Sequence, residues 1–317
     1  MPKRCLIALS IALLAANAVA KPPAVAASQV AAPPVPLLWK ACDSDNCVYM
    51  LGSFHVLKAD DYPLSKDVED AFARAAQVTF EIAPDEMASP QLARKMMAAA
   101  VRRDGKTLKD ALSPELNAKF DAWAEANRDA LARQGIDVPM LQRFKPWFAS
   151  ILVTMTAMRQ MGMEPEFGLD NHISAKARAA GKRVAGLESG DSQVVLFDGM
   201  SAEQQRQMLE EALTAAREGS AGIGRLHGAW RRGDADMLLR ETIDKMRTEY
   251  PRLYQVINVD RNLAWVPQLQ ARLEAPGSDD TLVVVGAMHL LGSDGVVERM
   301  RGKGYRVERV CSACVGK

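Results

Sequence analysis

Two runs of this chain close on the same four-residue pattern. VYMLGSFH ends at His55 and TLVVVGAMH ends at His289, each a short β-rich run followed by Gly-x-x-His with Gly52 or Gly286 at its head. The sequence holds 4 histidines among 317 residues, so two placed alike at opposite ends of the chain point to the halves of one site. A glycine lets the backbone turn or come close where a side chain would obstruct it. The imidazole three residues on can then face a ligand, a metal or a transferring proton. The plainer alternative is a pair of core or loop-anchoring histidines.

Carboxylates fall at comparable places. In Val78-Thr79-Phe80-Glu81-Ile82 the period of two sets Glu81 opposite the 78, 80 and 82 face, and a charge on such a strand is costly to bury unpaired. Glu188 closes the run Arg183-Val184-Ala185-Gly186-Leu187-Glu188. Open α/β sheets hold ligands at the ends of their parallel strands, which favours these acids over solvated strand ends. Two imidazoles and one or two carboxylates form a donor set for a divalent metal, which can generate hydroxide at neutral pH. The same groups without metal supply a histidine base, a tuning glutamate and water as nucleophile. Composition and spacing leave the two open. No His-Glu-x-x-His helix is present, so the common zinc-protease design is excluded. His172, just after Asp170, and His227, ahead of an expected helix, are weaker candidates, better suited to local packing.

The elements that must position these groups read as an α/β fold. Leu37 to Leu51 predicts a β-hairpin about the Cys42-Asp-Ser-Asp-Asn-Cys47 turn. Helical spacing over 65–76, a strand over 78–82 and further strands over 183–188, 281–285 and 305–310 predict a central mixed, partly parallel sheet flanked by helices. The middle of the chain predicts a large helical region: 114–134, the strongly apolar 146–161, 169–180 and 201–217, with 233–246 and 256–273 after it.

Residues 1–20 carry a basic start, an apolar run and Ala18-Val19-Ala20, the pattern of a cleaved secretory signal. Residues 21–36 are a Pro/Ala-rich flexible leader, and 37–317 are expected to form a single domain. No later stretch is apolar and long enough for stable membrane insertion, no cysteine follows the cleavage site for a lipid anchor, and the protein is expected in the periplasm or secreted. The formal charge of +1 offers nothing to nucleic acid or an anionic membrane. Closeness in sequence pairs Cys42 with Cys47 and Cys311 with Cys314 as disulfides in an oxidising compartment, a structural zinc site being the rival.

Read in order, these motifs resemble the TraB/GumN (PrgY-like) family, which is related to the Tiki metalloproteases and more distantly to erythromycin esterases. Gly52-Ser53-Phe54-His55, Glu81, Gly168-Leu169-Asp170, Gly186-Leu187-Glu188 with Gln193, Arg261-Asn262 and the block VVVGAMHLLGSDGVVERMRGKGYRVERV carry the likeness from about Leu37 to Val310. The resemblance implies His55, Glu81, His289 and Glu188 as metal ligands or catalytic groups. It also implies Arg261 as an oxyanion or substrate-carboxylate partner, with Asp170, Asn262 and Gln193 as supporting groups. It implies a divalent ion such as Mn, Co or Zn and hydrolysis of a peptide or ester bond. A non-catalytic binding or regulatory protein for a peptide or small molecule is the alternative, and oligomeric state is left open.

Overall fold

The computed structural model describes residues 32–314, so the expected signal and most of the leader lie outside the described residues. Six strands form one sheet: β1 (Leu38–Cys42), β2 (Cys47–Ser53), β3 (Gln77–Ile82), β4 (Arg183–Glu188), β5 (Thr281–Gly286) and β6 (Val307–Arg309). Their order across the sheet is β4-β3-β5-β2-β1-β6. Pairing is parallel from β4 through β3 and β5 to β2, and antiparallel where β1 meets β2 and β6. The sheet is therefore mixed and partly parallel, with helices on its faces. Every residue of β5, Thr-Leu-Val-Val-Val-Gly, is buried, as a central parallel strand covered on both faces requires.

The hairpin β1–β2 turns at residues 43–46, where the Asp43 carboxylate accepts the backbone N–H groups of Asp45 and Asn46 at 3.1 and 3.0 Å. The Cys42–Cys47 disulfide closes that turn, and Cys311 bonds Cys314 near the other end of the chain. Both expected pairings are present.

The helical region follows the expectation with informative departures. The Pro146–Gln160 helix buries 12 of its 15 residues and packs along the Ala202–Glu218 helix, so its apolar surface is core. The expected 114–134 helix is two, Pro114–Ala126 and Arg128–Arg133, because the Asn127 side chain donates 2.7 Å to Trp123 O and ends the first. The expected 256–273 helix begins as a π-helical turn, Gln255–Val259, and runs as α-helix over Asp260–Leu273. The expected 233–246 helix likewise contains a π-helical stretch, Leu239–Asp244. Helices over Pro90–Ala100 and Ser220–Arg232 are additional to the sequence expectation.

The consequence for function is positional. Because β2, β3, β4 and β5 are parallel, their C-terminal ends open on one edge of the sheet. That edge receives the residues following β2 and β5 and the acids closing β3 and β4.

Candidate functional site

His55 lies two residues beyond β2, and His289 three beyond β5, on neighbouring strands paired as Ser53 with Gly286. The two Gly-x-x-His motifs are thus brought side by side. A side chain at Gly52 would press within 3.1–3.2 Å of Ala287 and Leu37, so a residue without Cβ keeps this strand end against the chain entering the second motif.

Asp170 arrives from a helix, Leu169–Ala179. Leu169 N donates to Phe54 O at 3.1 Å, and a Cβ on Gly168 would stand 2.1 Å from His55 O. Only glycine lets that helix start so close to the β2 end, which explains the Gly-Leu-Asp run. Asp170 Oδ2 then takes both the Ser53 hydroxyl and His55 Nδ1, the latter at 2.7 Å. Ser53 is bonded to the carboxylate and not to the imidazole, so it is not set up as a nucleophile activated by His55. With Nδ1 committed, His55 Nε2 is buried, makes no hydrogen bond, and faces Glu81 Oε1 at 3.7 Å.

On the other side the Asp260–Leu273 helix contributes Arg261, Asn262 and Trp265. Asn262 Nδ2 donates to Asn258 Oδ1 and Asp294 O, each at 2.9 Å, which turns its Oδ1 toward His289 Nδ1 at 2.7 Å. That nitrogen is therefore the protonated one, and His289 Nε2 accepts from Arg261 Nη1 at 3.0 Å. Trp265 packs its ring against His289 at 4.5 Å and under the Arg261 guanidinium at 4.7 Å.

Arg261 gathers the rest. Its Nη2 donates to Glu81 Oε2 at 2.5 Å and Glu188 Oε1 at 2.6 Å, its Nε donates to Glu188, and its Nη1 also reaches Ile257 O at 3.3 Å. All five guanidinium N–H donors are engaged within the site, so Arg261 is a positioning group here, and holding a substrate oxygen would cost it one of these bonds. The π-helical turn just before it is what presents Ile257 O. Glu188 is further held by Gln193 Nε2 at 2.8 Å, and Glu81 Oε1 by the Gly286 N–H at 2.7 Å.

The two histidines differ in charge. Burial pushes His55 down, but the Asp170 and Glu81 carboxylates outweigh it and lift the ring to about 9. Burial and then the Arg261 charge push His289 down to about 3, so that ring is neutral. Burial works against ionised Glu81 as well, yet the Arg261 guanidinium more than compensates and holds it at about 2.

Among the described residues, no group of three or more His, Cys, Asp or Glu side chains is arranged to hold a metal ion. The physical reason is Arg261, which binds His289 Nε2, Glu81 Oε2 and Glu188 itself. His55 Nε2 and Glu81 Oε1 are left as the facing donors. The remaining histidines lie elsewhere: His227 sits inside its helix and bonds buried Asp61 at 2.8 Å, and His172 stacks on Tyr62 at 4.0 Å. Ser53 and Trp265 were not expected from the sequence. Ser53 could have been drawn from its place inside the first Gly-x-x-His, and Trp265 from its i+4 spacing to Arg261.

The sequence pattern of the TraB/PrgY/gumN family matches residues 37–309. The chain belongs to this family. It resembles the uncharacterized protein YbaP of Escherichia coli (strain K12), 24% identical over 170 residues that cover 53% of this chain and 60% of YbaP. YbaP of Shigella flexneri matches with the same identity and coverage, so the matched segment spans about 60% of the length of both curated relatives. No solved structure matches. All the site residues of this TraB/PrgY/gumN member fall within the matched span.

Proposed function

We propose that the chain is an exported hydrolase that cleaves a peptide or ester bond with water activated at His55. The observation that carries this reading is the unpartnered, buried His55 Nε2, fixed by Asp170 through Nδ1 and turned toward Glu81. With the ring lifted to about 9, His55 is mostly protonated at pH 7; the neutral form, which grows as pH rises toward 9, donates Nδ1–H to Asp170 and offers Nε2 as a base, so turnover rises over that range. Water hydrogen-bonded to Nε2 beside Glu81 Oε1 gives up its proton to the imidazole as it adds to the carbonyl carbon. The imidazolium then protonates the leaving nitrogen or oxygen as the acyl bond breaks. His289 does not exchange protons in this scheme; it anchors Arg261, and Arg261 holds Glu81 ionised beside the base. Export is supported by the signal-like N-terminus and by two disulfides, and among the described residues no helix is long and apolar enough to cross a membrane.

The test is turnover of fluorogenic peptide and ester panels by the mature chain between pH 7 and 9. Hydrolysis lost at least 100-fold in His55→Ala, in line with the roughly 10²–10⁴ contribution of a positioned base, supports the reading. Hydrolysis equal in His55→Ala, or saturable peptide binding by a folded protein without any turnover, rejects it; the second outcome makes the chain a binding protein.

The same free nitrogen favours a second reading, in which His55 Nε2 and Glu81 Oε1 hold a divalent ion such as Mn, Co or Zn. Such an ion would supply a water of lowered pKa. Metal analysis of protein purified without chelator decides it: stoichiometric metal that disappears in His55→Ala supports this reading over the metal-free scheme, and no metal, or equal metal content in both proteins, overturns it.

A further inference from the structure

Away from the sheet edge, the Pro114–Ala126 helix, the Ala202–Glu218 helix and the turn at Glu249–Tyr250 enclose a cleft of about 830 Å³. None of the site residues described above lines it. Glu211, 4% exposed, forms part of its wall. One Glu211 oxygen, Oε1, accepts the Tyr250 hydroxyl; the other, Oε2, is buried and has no partner. A buried acceptor left unmade costs about 1–3 kcal/mol, more when charged, so an orphan at the wall of a cleft marks a place where something else donates.

The surroundings say what that donor is. Lys119 is already taken by Glu115 at 2.8 Å and Glu210 at 3.0 Å. Among the described residues neither Glu211 nor Glu249 forms an ion pair: Arg217 stands at the rim, and Lys245 Nζ, buried and itself without a hydrogen-bond partner, makes its charge felt at Glu211 but does not come within ion-pair distance of it. Anions are repelled by Glu115, Glu210, Glu211 and Glu249. A hard divalent ion needs about six oxygens, and one free buried oxygen does not supply them. Trp123 offers an aromatic wall that attracts cations, while Ala122, Ala126 and Leu213 offer an aliphatic one.

We propose that this cleft is a binding site for an aliphatic amine, its ammonium group donating to Glu211 Oε2 and its carbon chain lying along Trp123 and the alanines. The acid is tuned for such a partner: burial lifts Glu211 to about 7 with help from Glu249 and Glu210, against the opposing Tyr250 hydrogen bond and Lys245 charge. An ammonium ion therefore binds the ionised form, and binding strengthens as pH rises through about 7.

Calorimetric titration of the mature protein with butylamine and putrescine, beside butanol as the neutral isostere, tests this. Saturable amine binding at pH 8, at least tenfold weaker at pH 5.5 and at least tenfold weaker for butanol, is expected. Glu211→Gln keeps an acceptor for Tyr250 and should lose at least tenfold in amine affinity, whereas Glu203→Gln on the same helix should not. Ala126→Trp fills the cleft without touching the acid and should abolish binding, which keeps the proposal open to refutation should Glu211→Gln fold poorly. Equal binding of butanol, or affinity unchanged in Glu211→Gln or Ala126→Trp, overturns it.

Discussion

His55 and His289 follow the same motif on neighbouring parallel strands, yet one ring is lifted to about 9 and the other pushed to about 3. The strands place the two rings; helices decide what each ring does. His55 receives a carboxylate, Asp170, at Nδ1 and leaves Nε2 facing Glu81. His289 receives a neutral amide, Asn262, at Nδ1 and has Nε2 closed by Arg261. Two like motifs thus differ in their partners: one ring keeps an open nitrogen and the other is closed at both. The difference is written in the residues at 170 and 262, and in the guanidinium, which bonds only His289 although its charge lowers both rings.

Arg261→Met is the severest way to break that asymmetry. It leaves Glu81, 3% exposed, and the neighbouring Glu188 without their cation, and a buried pair broken on one side costs about 3–5 kcal/mol. Urea denaturation should register this loss, with His289 rising above about 3 once the neighbouring charge is gone. A loss under about 1 kcal/mol would remove Arg261 from its place as the shared brace.

The next effect is a stability profile with two limbs of different origin. His55 lies near 9 in the fold against 6.5 as a free side chain, so its stabilisation is complete below pH 6.5 and lost as pH rises through about 9. His289 lies near 3 against 6.5, so its contribution is complete above pH 6.5 and lost as pH falls through about 3. Glu81, at about 2 against 4.5, adds to the acid limb by losing its contribution as pH falls through about 2. Each histidine limb is on the order of 1–3 kcal/mol after allowance for relaxation of buried charges. Glu211, raised to about 7, adds its own loss between pH 4.5 and 7 in every protein compared. Thermal melts across pH 3–10 should show His55→Gln flattening the alkaline limb and His289→Gln the acid one. If each substitution flattens both limbs equally, the two rings are not separate devices.

What the sequence made legible divides along the same line. The buried strands, the turn-closing cysteines and the repeated Gly-x-x-His are local patterns, and each is visible in a window of ten residues. So are Glu81 and Glu188, acids standing at the ends of apolar runs. The opposite charge states were not visible, because they depend on contacts 115 residues apart for His55 with Asp170 and 28 apart for Arg261 with His289. Nor was the saturation of Arg261, since the π-helical turn that lends it Ile257 O inserts no break in apolar spacing. The Ser220–Arg232 helix escaped for a different reason. Gly222, Gly224 and Gly228 depress its propensity, and burial of Ile223, Leu226 and Trp230 is what holds it.

The smallest expected shift tests the comparison most directly, because the substitutions exchange the group facing each ring and leave the rings alone, although Asn262→Asp also gives up the Nδ2 bonds to Asn258 and Asp294. Asn262→Asp gives His289 Nδ1 a carboxylate in place of an amide, within the 2.7 Å already observed. A nearby opposite charge favours the charged imidazole, here against the burial and the Arg261 charge that depress it. The expected rise is about one pKa unit, or ~1.4 kcal/mol, read from the histidine ring resonances by NMR titration. Asp170→Asn is the converse: His55 should fall from about 9 toward or below its free value, since burial then acts with less opposition. Together the two exchanges should narrow the gap between the rings from both ends. If the gap stays as it is in both variants, the Nδ1 partner does not set the difference. Arg261, which meets His289 and leaves His55 Nε2 open, would then be its source.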